Sequence, residues 1–317
     1  MLPFEKRNKE VMVRSEEETN PEYGCNPEER DNIDLGMIIL NKPAGPTSHQ
    51  VSDYVKRILD LKKAGHSGTL DPNVTGVLPI ALGRSTKVIQ GLLNAGKEYI
   101  CLMRLHDEFP AKVIRKKMDE LVGEIKQIPP IKSAVKRVKR TRSIYYLEIL
   151  EIKGKEVLFK VGCQAGTYIR KLCHDFGKSL NSGAHMQELV RTKAGPFSDK
   201  DWVILHDLKD AKEEGKLKEM ILPVERAVDH LPKIWIKDNA VDTICHGAQL
   251  SLPAVAKFEF EINIGDIVAI MTLKDELICL AKAKSTGVNM KMNNKGIVAG
   301  NTKVFMERGT YPKYEKN

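Results

Sequence analysis

Residues 65–83 read GHSGTLDPNVTGVLPIALG, four glycines and two prolines within nineteen positions. Glycines at 65, 68 and 76 allow backbone conformations and close approaches that other residues resist. Pro72 fixes its own φ and turns Asp71 toward an extended conformation. Asp71 is therefore presented by a stiff loop rather than carried on a helix. On residue types alone, the same pattern also suits a turn whose aspartate bonds its own backbone.

The flanking segments alternate between two periodicities. Residues 37–40 form a short apolar strand running into the Pro-Gly punctuation of 41–46. Thr47 or Ser48 then caps a helix whose apolar stripe is Val51, Tyr54, Val55, Ile58 and Leu59. A second helix starts near Ser85 and stops at Gly96. Segments 97–105 and 143–152 read as strands, and Lys153-Gly154 joins the latter to a strand at 156–163 as a hairpin. A helix at 168–180 runs through Ile169, Leu172, Cys173, Phe176 and Leu180. The mixture predicts an α+β domain with a mixed, largely antiparallel sheet flanked by helices. Residues 199–231 form a charged helical connector, with 209–218 (KDAKEEGKLK) solvated. From 233 to 311 the pattern becomes short strands around one helix at 239–246, closed by Gly247 and carrying a core stripe of Ala240, Val241 and Ile244. Turns at Gly265-Asp266 and Lys274-Asp275 separate the runs 267–273 and 277–283, which suits a small β-barrel or sandwich. Residues 1–34 are polar and aperiodic, an extended arm or a disordered tail.

At 317 residues and 42% hydrophobic content, the chain is long enough for roughly two domains with a sizeable core. Lys and Arg number 51 against 42 Asp and Glu, a net charge of +9, which favours a polyanionic partner and most simply nucleic acid. A solvated lysine surface would give the same balance. Between 131 and 145 the charged residues are Lys132, Lys136, Arg137, Lys139, Arg140 and Arg142, with no acid, and Tyr145 and Tyr146 follow. Such a run reads as a loop closing over a polyanion, or as an ordinary solvated surface. The six cysteines are scattered without a CxxC pair, which argues against a zinc knuckle and a disulfide framework and suits a reducing cytoplasm. The start lacks the apolar run of a signal peptide, and no stretch is long and apolar enough to span a membrane.

His66-Ser67-Gly68-Thr69-Leu70-Asp71-Pro72 with Thr75-Gly76-Val77-Leu78-Pro79 resembles the signature of the TruB family of pseudouridine synthases. Leu40-Asn41-Lys42-Pro43 with Gly45-Pro46-Thr47-Ser48 is similar to that family's opening motif. Gly96-Lys97-Glu98-Tyr99 and Gly166-Thr167-Tyr168-Ile169-Arg170 are similar to two more, in the same order. The archaeal and eukaryotic dyskerin branch is the better match. It is resembled by Ile128-Pro129-Pro130 with Ser133-Ala134-Val135-Lys136-Arg137, by Gly183-Ala184-His185-Met186, and by Arg191-Thr192 before Gly195-Pro196-Phe197. The C-terminal stretch resembles the PUA domain of that branch, and the lack of a long Lys-rich tail points to an archaeal-type protein. Val190 departs from the pattern, where a second arginine is expected. The resulting division is an arm at 1–34, a catalytic domain with connector at 35–231, and a β-barrel-like PUA domain at 232–312.

The resemblance implies isomerisation of uridine to pseudouridine in RNA, without cofactor or metal. It makes Asp71 the nucleophile or base, pairs Arg170 with it, and has Tyr99 stack on a flipped base and take part in proton transfer. His66 would contact the displaced region of RNA, though a structural histidine fits as well. Lys42 and Pro43 would support the site. Lys136, Arg137, Lys139, Arg140, Arg142 and Arg191 would bind RNA, as would the PUA residues Gly247, Ala248, Gly287, Lys291, Lys295 and Lys303. The arm would pack on the PUA domain, although composition carries no sign of that. One implied setting is a box H/ACA guide RNA particle acting on rRNA, with three small proteins: one zinc-ribbon-like, one glycine-arginine-associated, one kink-turn-binding. A second is stand-alone action on the T-loop uridine of tRNA. A non-catalytic RNA-binding scaffold is the alternative from a different class.

Overall fold

The apolar run at 37–40 becomes a strand buried on both faces, and the larger of two sheets is built around it. The computed structural model describes residues 1–129 and 136–313. In chain order the strands are β1 (Val11–Val13), β2 (Gly36–Lys42), β3 (Ala64–His66), β4 (Thr75–Leu82), β5 (Lys97–Leu105), β6 (Gly123–Gln127), β7 (Arg140–Lys153), β8 (Glu156–Cys163) and β9 (Ala184–Ala194). They continue with β10 (Phe197–Ser198), β11 (Leu222–Pro223), β12 (Lys233–Ile236), β13 (Leu250–Ser251), β14 (Val255–Glu259), β15 (Ile267–Met271), β16 (Leu277–Ala283) and β17 (Ile297–Val304). The α-helices are α1 (Ser48–Ile58), α2 (Ile89–Leu93), α3 (Ala111–Asp119), α4 (Ile169–Ser179), α5 (Leu205–Glu213), α6 (Asp238–Cys245) and α7 (Gly287–Met292).

The larger sheet runs β11-β2-β4-β9-β5-β8-β7-β6, with β3 added to β4 and β10 to β9. Among its described strands β4 and β9 form the one parallel pair, so the sheet is mixed and largely antiparallel, as predicted. Strand alternation assigns its cores. Ile38 and Leu40 of β2 and Leu78, Ile80 and Leu82 of β4 face Val51 and Val55 of α1 and Leu59 at its C-cap. Met37, Ile39, Val77 and Ala81 face the other way, where Trp235, Met271 and Leu280 of the C-terminal sheet and Phe305 just after β17 join them in one core. A third core places α3 and α4 under β5, β8 and β7, through Cys101, Met103, Phe159, Ile169, Leu172 and Phe176. Each fully buried Leu, Ile or Phe of this kind contributes about 1.5–3 kcal/mol relative to exposure. Thr47, not Ser48, caps α1: its hydroxyl accepts from the Gln50 amide at 3.2 Å, and Gln50 Oε1 accepts from the Thr47 amide at 2.9 Å.

The C-terminal sheet runs β1-β14-β12-β15-β16-β17-β13 and its hydrogen-bonded path stays open, so it does not close into a barrel. Its edge strand β1 comes from the arm. Val11–Val13 pairs with Lys257–Glu259, Leu2 is fully buried, and Arg7 pairs with Glu259 at 2.5 Å. The arm is therefore ordered against the C-terminal sheet. Its backbone is tied to partners more than 200 residues away in sequence, the Asn20 amide donating to Asp238 Oδ2 and the Cys25 amide to Glu276 Oε1, both at 3.0 Å. No helix among the described residues is long and apolar enough to cross a membrane.

His230 lies where the connector meets this sheet. Its Nε2 donates to the Gly91 carbonyl at 2.9 Å, Phe4 meets its ring edge-on, and Nδ1 is buried without a partner. Burial lowers its pKa from 6.5 to about 4. The unfolded chain thus takes up a proton below pH 6.5 that the folded chain refuses until about pH 4. The stability from neutral His230 is complete above pH 6.5 and falls away as pH drops toward 4, by about 3 kcal/mol in all. Urea denaturation at pH 7 and pH 4.5 should show a smaller acid loss for His230→Gln than for wild type. Equal losses would remove His230 as the cause.

Candidate active site

The loop that carries Asp71 is held from beneath by a buried lysine. Lys42, fully buried at the end of β2, donates Nζ to the carbonyls of Pro43 at 2.8 Å, Pro72 at 2.9 Å and Val74 at 3.0 Å. All three ammonium protons are thereby used on backbone within three residues of Asp71 or on the opening motif. Pro43 is exposed and contributes that carbonyl. Buried Ser48, in the first turn of α1, clamps the other side: its hydroxyl donates to the Leu70 carbonyl at 3.2 Å and accepts from the Leu70 amide at 2.8 Å. The Gly45 amide donates to the Pro72 carbonyl at 3.0 Å, and the Val74 amide to that of Asp71 at 3.0 Å. The Asp71 backbone thus closes a turn while its carboxylate points elsewhere.

That carboxylate meets Arg170. Asp71 Oδ2 accepts from Arg170 Nη2 at 2.6 Å, and the two side chains are 52% and 54% exposed, so the pair faces an open surface. Arg170 is the second residue of α4, and Gln127 fixes where that helix begins. Gln127 is 3% exposed; its Oε1 accepts from the Tyr168 amide at 3.0 Å and its Nε2 donates to the Tyr168 carbonyl at 3.1 Å.

Tyr99 is partly buried in β5, on the face that packs on α4, and its hydroxyl lies near the Arg191 guanidinium. Burial pushes its ionisation above the ordinary value, and Asp71 adds to the rise while Arg191 opposes both. Arg191 departs from the expectation set by its sequence context. Expected on an RNA-facing surface, it is 1% exposed and lies inside the site, donating Nε to the Val77 carbonyl at 2.7 Å and Nη2 to that of Gly68 at 3.2 Å. Burial lowers its pKa as it does that of Lys42. The close approach of β9 to β4 that seats Arg191 depends on Gly76, whose φ is +105°; a Cβ there would sit 2.2 Å from the Arg191 carbonyl oxygen. Three cations, Lys42, Arg170 and Arg191, therefore surround one loop and its carboxylate, two buried as frame and one exposed as partner.

His66 ends β3 at the edge of this frame. It is partly buried, its Nδ1 has no partner, and burial followed by the charges of Arg191 and His49 lowers its pKa. Lys97 and Glu98, to which the motif containing them assigns no role, brace the neighbouring strands. Lys97 donates to the carbonyls of Leu92, Leu93 and Ala95 at the end of α2, and burial brings its pKa down to about 8. Glu98 accepts from Tyr146 Oη and, at 2.8 Å, from Thr192 Oγ1, tying β7 and β9 to β5. Tyr146 is thus occupied within the sheet, and Tyr145 lies against Gly96. Neither extends the basic loop as an aromatic. The GKEY motif marks Lys97 and Glu98 as neighbours of Tyr99, but their partners come from other strands.

Of the basic residues, Lys136, Arg137 and Lys139 are exposed before β7, whereas Arg140 and Arg142 belong to β7 itself, paired with Gln127 and Ile125. The strand starts three residues earlier than the boundary at 143, because β6 supplies a partner that local pattern does not reveal. Lys132 and the motif residues Pro130, Ser133, Ala134 and Val135 lie outside the described residues. In the C-terminal stretch Lys291 of α7, Lys295 before β17 and Lys303 of β17 are exposed, and Gly247 is exposed at a φ of +93°. Gly287 is buried instead: a Cβ would sit 1.9 Å from the Phe260 carbonyl oxygen, so it serves packing and not an RNA contact.

Comparison with known proteins follows this geometry closely. Residues 56–169 match the model of the TruB family pseudouridylate synthase N-terminal domain, and 170–229 that of the tRNA pseudouridylate synthase B C-terminal domain. Residues 232–305 match the PUA domain and 1–52 the DKCLD (NUC011) domain. A Methanopyrus kandleri protein named "Probable tRNA pseudouridine synthase B" is 53% identical, covering 98% of this chain and 95% of its own. A Pyrococcus horikoshii protein of the same name is 54% identical, covering 99% and 97%. Among solved structures, a chain of a Cbf5-Nop10-Gar1 complex superposes with a TM-score of 0.94 at 52% identity, covering 99% of this chain and 98% of that one. A chain of an H/ACA RNP bound to a substrate RNA containing 2'-deoxyuridine superposes at 0.93 and 49% identity, covering 99% and 100%. The loop bearing Asp71, the ion pair with Arg170, and this likeness along nearly the whole chain have one reading: the chain belongs to the TruB family of pseudouridylate synthases, in its archaeal branch.

Proposed function

We propose that this chain converts uridine to pseudouridine in RNA as the catalytic subunit of a guide RNA particle, with Asp71 as its reactive carboxylate. The observation that carries the reading is the half-exposed Asp71–Arg170 pair on a loop whose backbone is locked by buried Lys42 and Arg191. The reaction breaks the bond between N1 of the base and C1' of the sugar, turns the base, and joins C5 to C1'. The C5 proton leaves and N1 gains one, so no atom is gained overall. Asp71 acts as nucleophile or as base, and either role needs it ionised and directed, which a guanidinium in ion-pair contact provides. The target base leaves its stack to reach this carboxylate. In this reading Tyr99 stacks on it and His66 meets the region it vacates.

The guided setting is supported by the likeness to chains found in complexes with Nop10, Gar1 and substrate RNA. Those small proteins and an H/ACA guide RNA are the partners proposed here, with 1–34 as arm, 35–231 as catalytic unit and 232–312 as RNA anchor. The buried free cysteines accord with a reducing cytoplasm. A second reading, unguided action on tRNA, rests on the name carried by the relatives. Purified chain should be offered tRNA transcript alone, and separately a target RNA with guide and partners. Turnover in the guided mixture is the expected result; turnover confined to free tRNA would discard the guided assignment.

The exposed cations before β7, with the partly buried Arg140 and Arg142 that begin it, form the proposed RNA clamp. Alanine at Lys136, Arg137, Lys139 and Arg140 together should weaken RNA binding and flatten the dependence of log K on log salt by roughly 0.7–0.9 for each phosphate left unneutralised. An unchanged slope would return these residues to an ordinary solvated surface.

A further inference from the structure

Two imidazoles meet at the ends of β5 and β9 remote from Tyr99 and Arg191. His106 directly follows β5 and His185 is the second residue of β9, where Leu105 pairs with Ala184 and Arg104 with His185. The backbone here is well anchored. The His106 amide donates to the Gly183 carbonyl at 2.9 Å, and its own carbonyl accepts from Lys155 Nζ at 2.7 Å. Gly183 makes room for the ring, because a Cβ there would lie 2.2 Å from His106 Nδ1. The next residues are stitched as well, Ser182 Oγ donating to Asp107 Oδ2 at 2.5 Å.

His106 Nε2 and His185 Nδ1 lie 3.3 Å apart, with ring centroids 5.5 Å apart and planes inclined at 51°. Both residues are exposed. A hydrogen bond through one shared proton would account for that contact. The same separation is also the edge of a tetrahedral site, since metal–nitrogen bonds of about 2.0–2.1 Å put neighbouring ligand nitrogens about 3.3–3.4 Å apart. Turning each ring by roughly 35° would bring both lone pairs onto one ion. Nitrogen donors select zinc, copper or nickel over magnesium and calcium, which take oxygen.

We propose that His106 and His185 form a two-histidine site for a borderline divalent transition metal, Zn2+ first among them, with water completing the coordination. No group of three or more His, Cys, Asp or Glu among the described residues could hold a metal, so two is the full protein complement. Tyr99 is seven residues from His106 along β5, about 23 Å at about 3.3 Å per residue, so the ion sits well away from Asp71. It would bridge two strands of the folded sheet and not bind the unfolded chain in that way, raising the melting temperature through linkage. The site is independent of the pseudouridylation reading.

The test uses the full chain without an affinity tag, in a Cys25→Ser background because Cys25 is an exposed thiol that competes for zinc. Calorimetric titration with Zn2+ should show one equivalent bound, with a rise in melting temperature reversed by EDTA. His106→Ala and His185→Ala should each weaken binding at least about tenfold and abolish the rise. Circular dichroism checks folding, and His106→Asn and His185→Gln repeat the test with side chains nearer in size. Cu2+ bound to the unsubstituted pair should show two coordinated nitrogens by electron paramagnetic resonance. Zinc binding that survives both variants, absence of any zinc effect on the parent, or a copper spectrum with fewer than two nitrogens would each overturn the proposal.

Discussion

Asp71→Asn is expected to cut pseudouridine formation by at least about 10⁴-fold while RNA affinity stays within about twofold. The amide fills the same volume and still accepts a hydrogen bond from Arg170, so the loop has no reason to move. What it lacks is the negative charge, without which it neither adds to the substrate nor takes a proton from it. Folding should be little affected. The Asp71–Arg170 pair is more than half exposed on both sides, and ion pairs of that kind contribute about 0–1 kcal/mol. The measurement is single-turnover conversion by mass spectrometry beside a binding isotherm on the same RNA. Turnover within a hundredfold of wild type would show that the indispensable group lies elsewhere, and a matching collapse of affinity would show that Asp71 holds RNA instead of acting on it.

Arg191→Met should be damaging for a different reason. Methionine fills most of the space but donates nothing, which leaves the Val77 and Gly68 carbonyls without their donor and removes the positive charge near the Tyr99 hydroxyl. Buried polar groups stripped of a partner cost about 1–3 kcal/mol each. Relief from burying the charge itself offsets part of this, and a net loss of about 2–4 kcal/mol is expected. The larger consequence is positional. Gly68 begins the loop that presents Asp71, and Tyr99 shares the same guanidinium, so both shift when it goes. A displacement of 1 Å in such a site costs about 10²-fold in rate. The variant should therefore lose catalytic rate on bound RNA while keeping its affinity. The reverse pattern, full rate with weakened binding, would restore Arg191 to the RNA-contact role that its sequence context suggests.

The contrast between these two residues shows where local pattern suffices. Asp71 is legible because its conformation is dictated by neighbours: Pro72 restricts it from one side and the glycines at 65 and 68 loosen the other, all within a few residues. The α1 helix and the β7–β8 hairpin are legible for the same reason, since cap, periodicity and turn are local. Arg170 lies 99 residues from Asp71, and nothing between them encodes the distance that separates their side chains. Its role is readable only through resemblance.

Arg191, the arm and the first residues of β7 depart from local expectation in one common way. Whether an arginine faces water or lines a buried frame depends on how closely β9 approaches β4, and a glycine 115 positions earlier permits that approach. Whether a polar arm is ordered depends on Lys257–Glu259 offering a free edge. Charge, capping and chain stiffness act over a few residues and are written in order along the chain. Burial and pairing are properties of surfaces that meet after folding, so they emerge when segments distant in sequence are packed together.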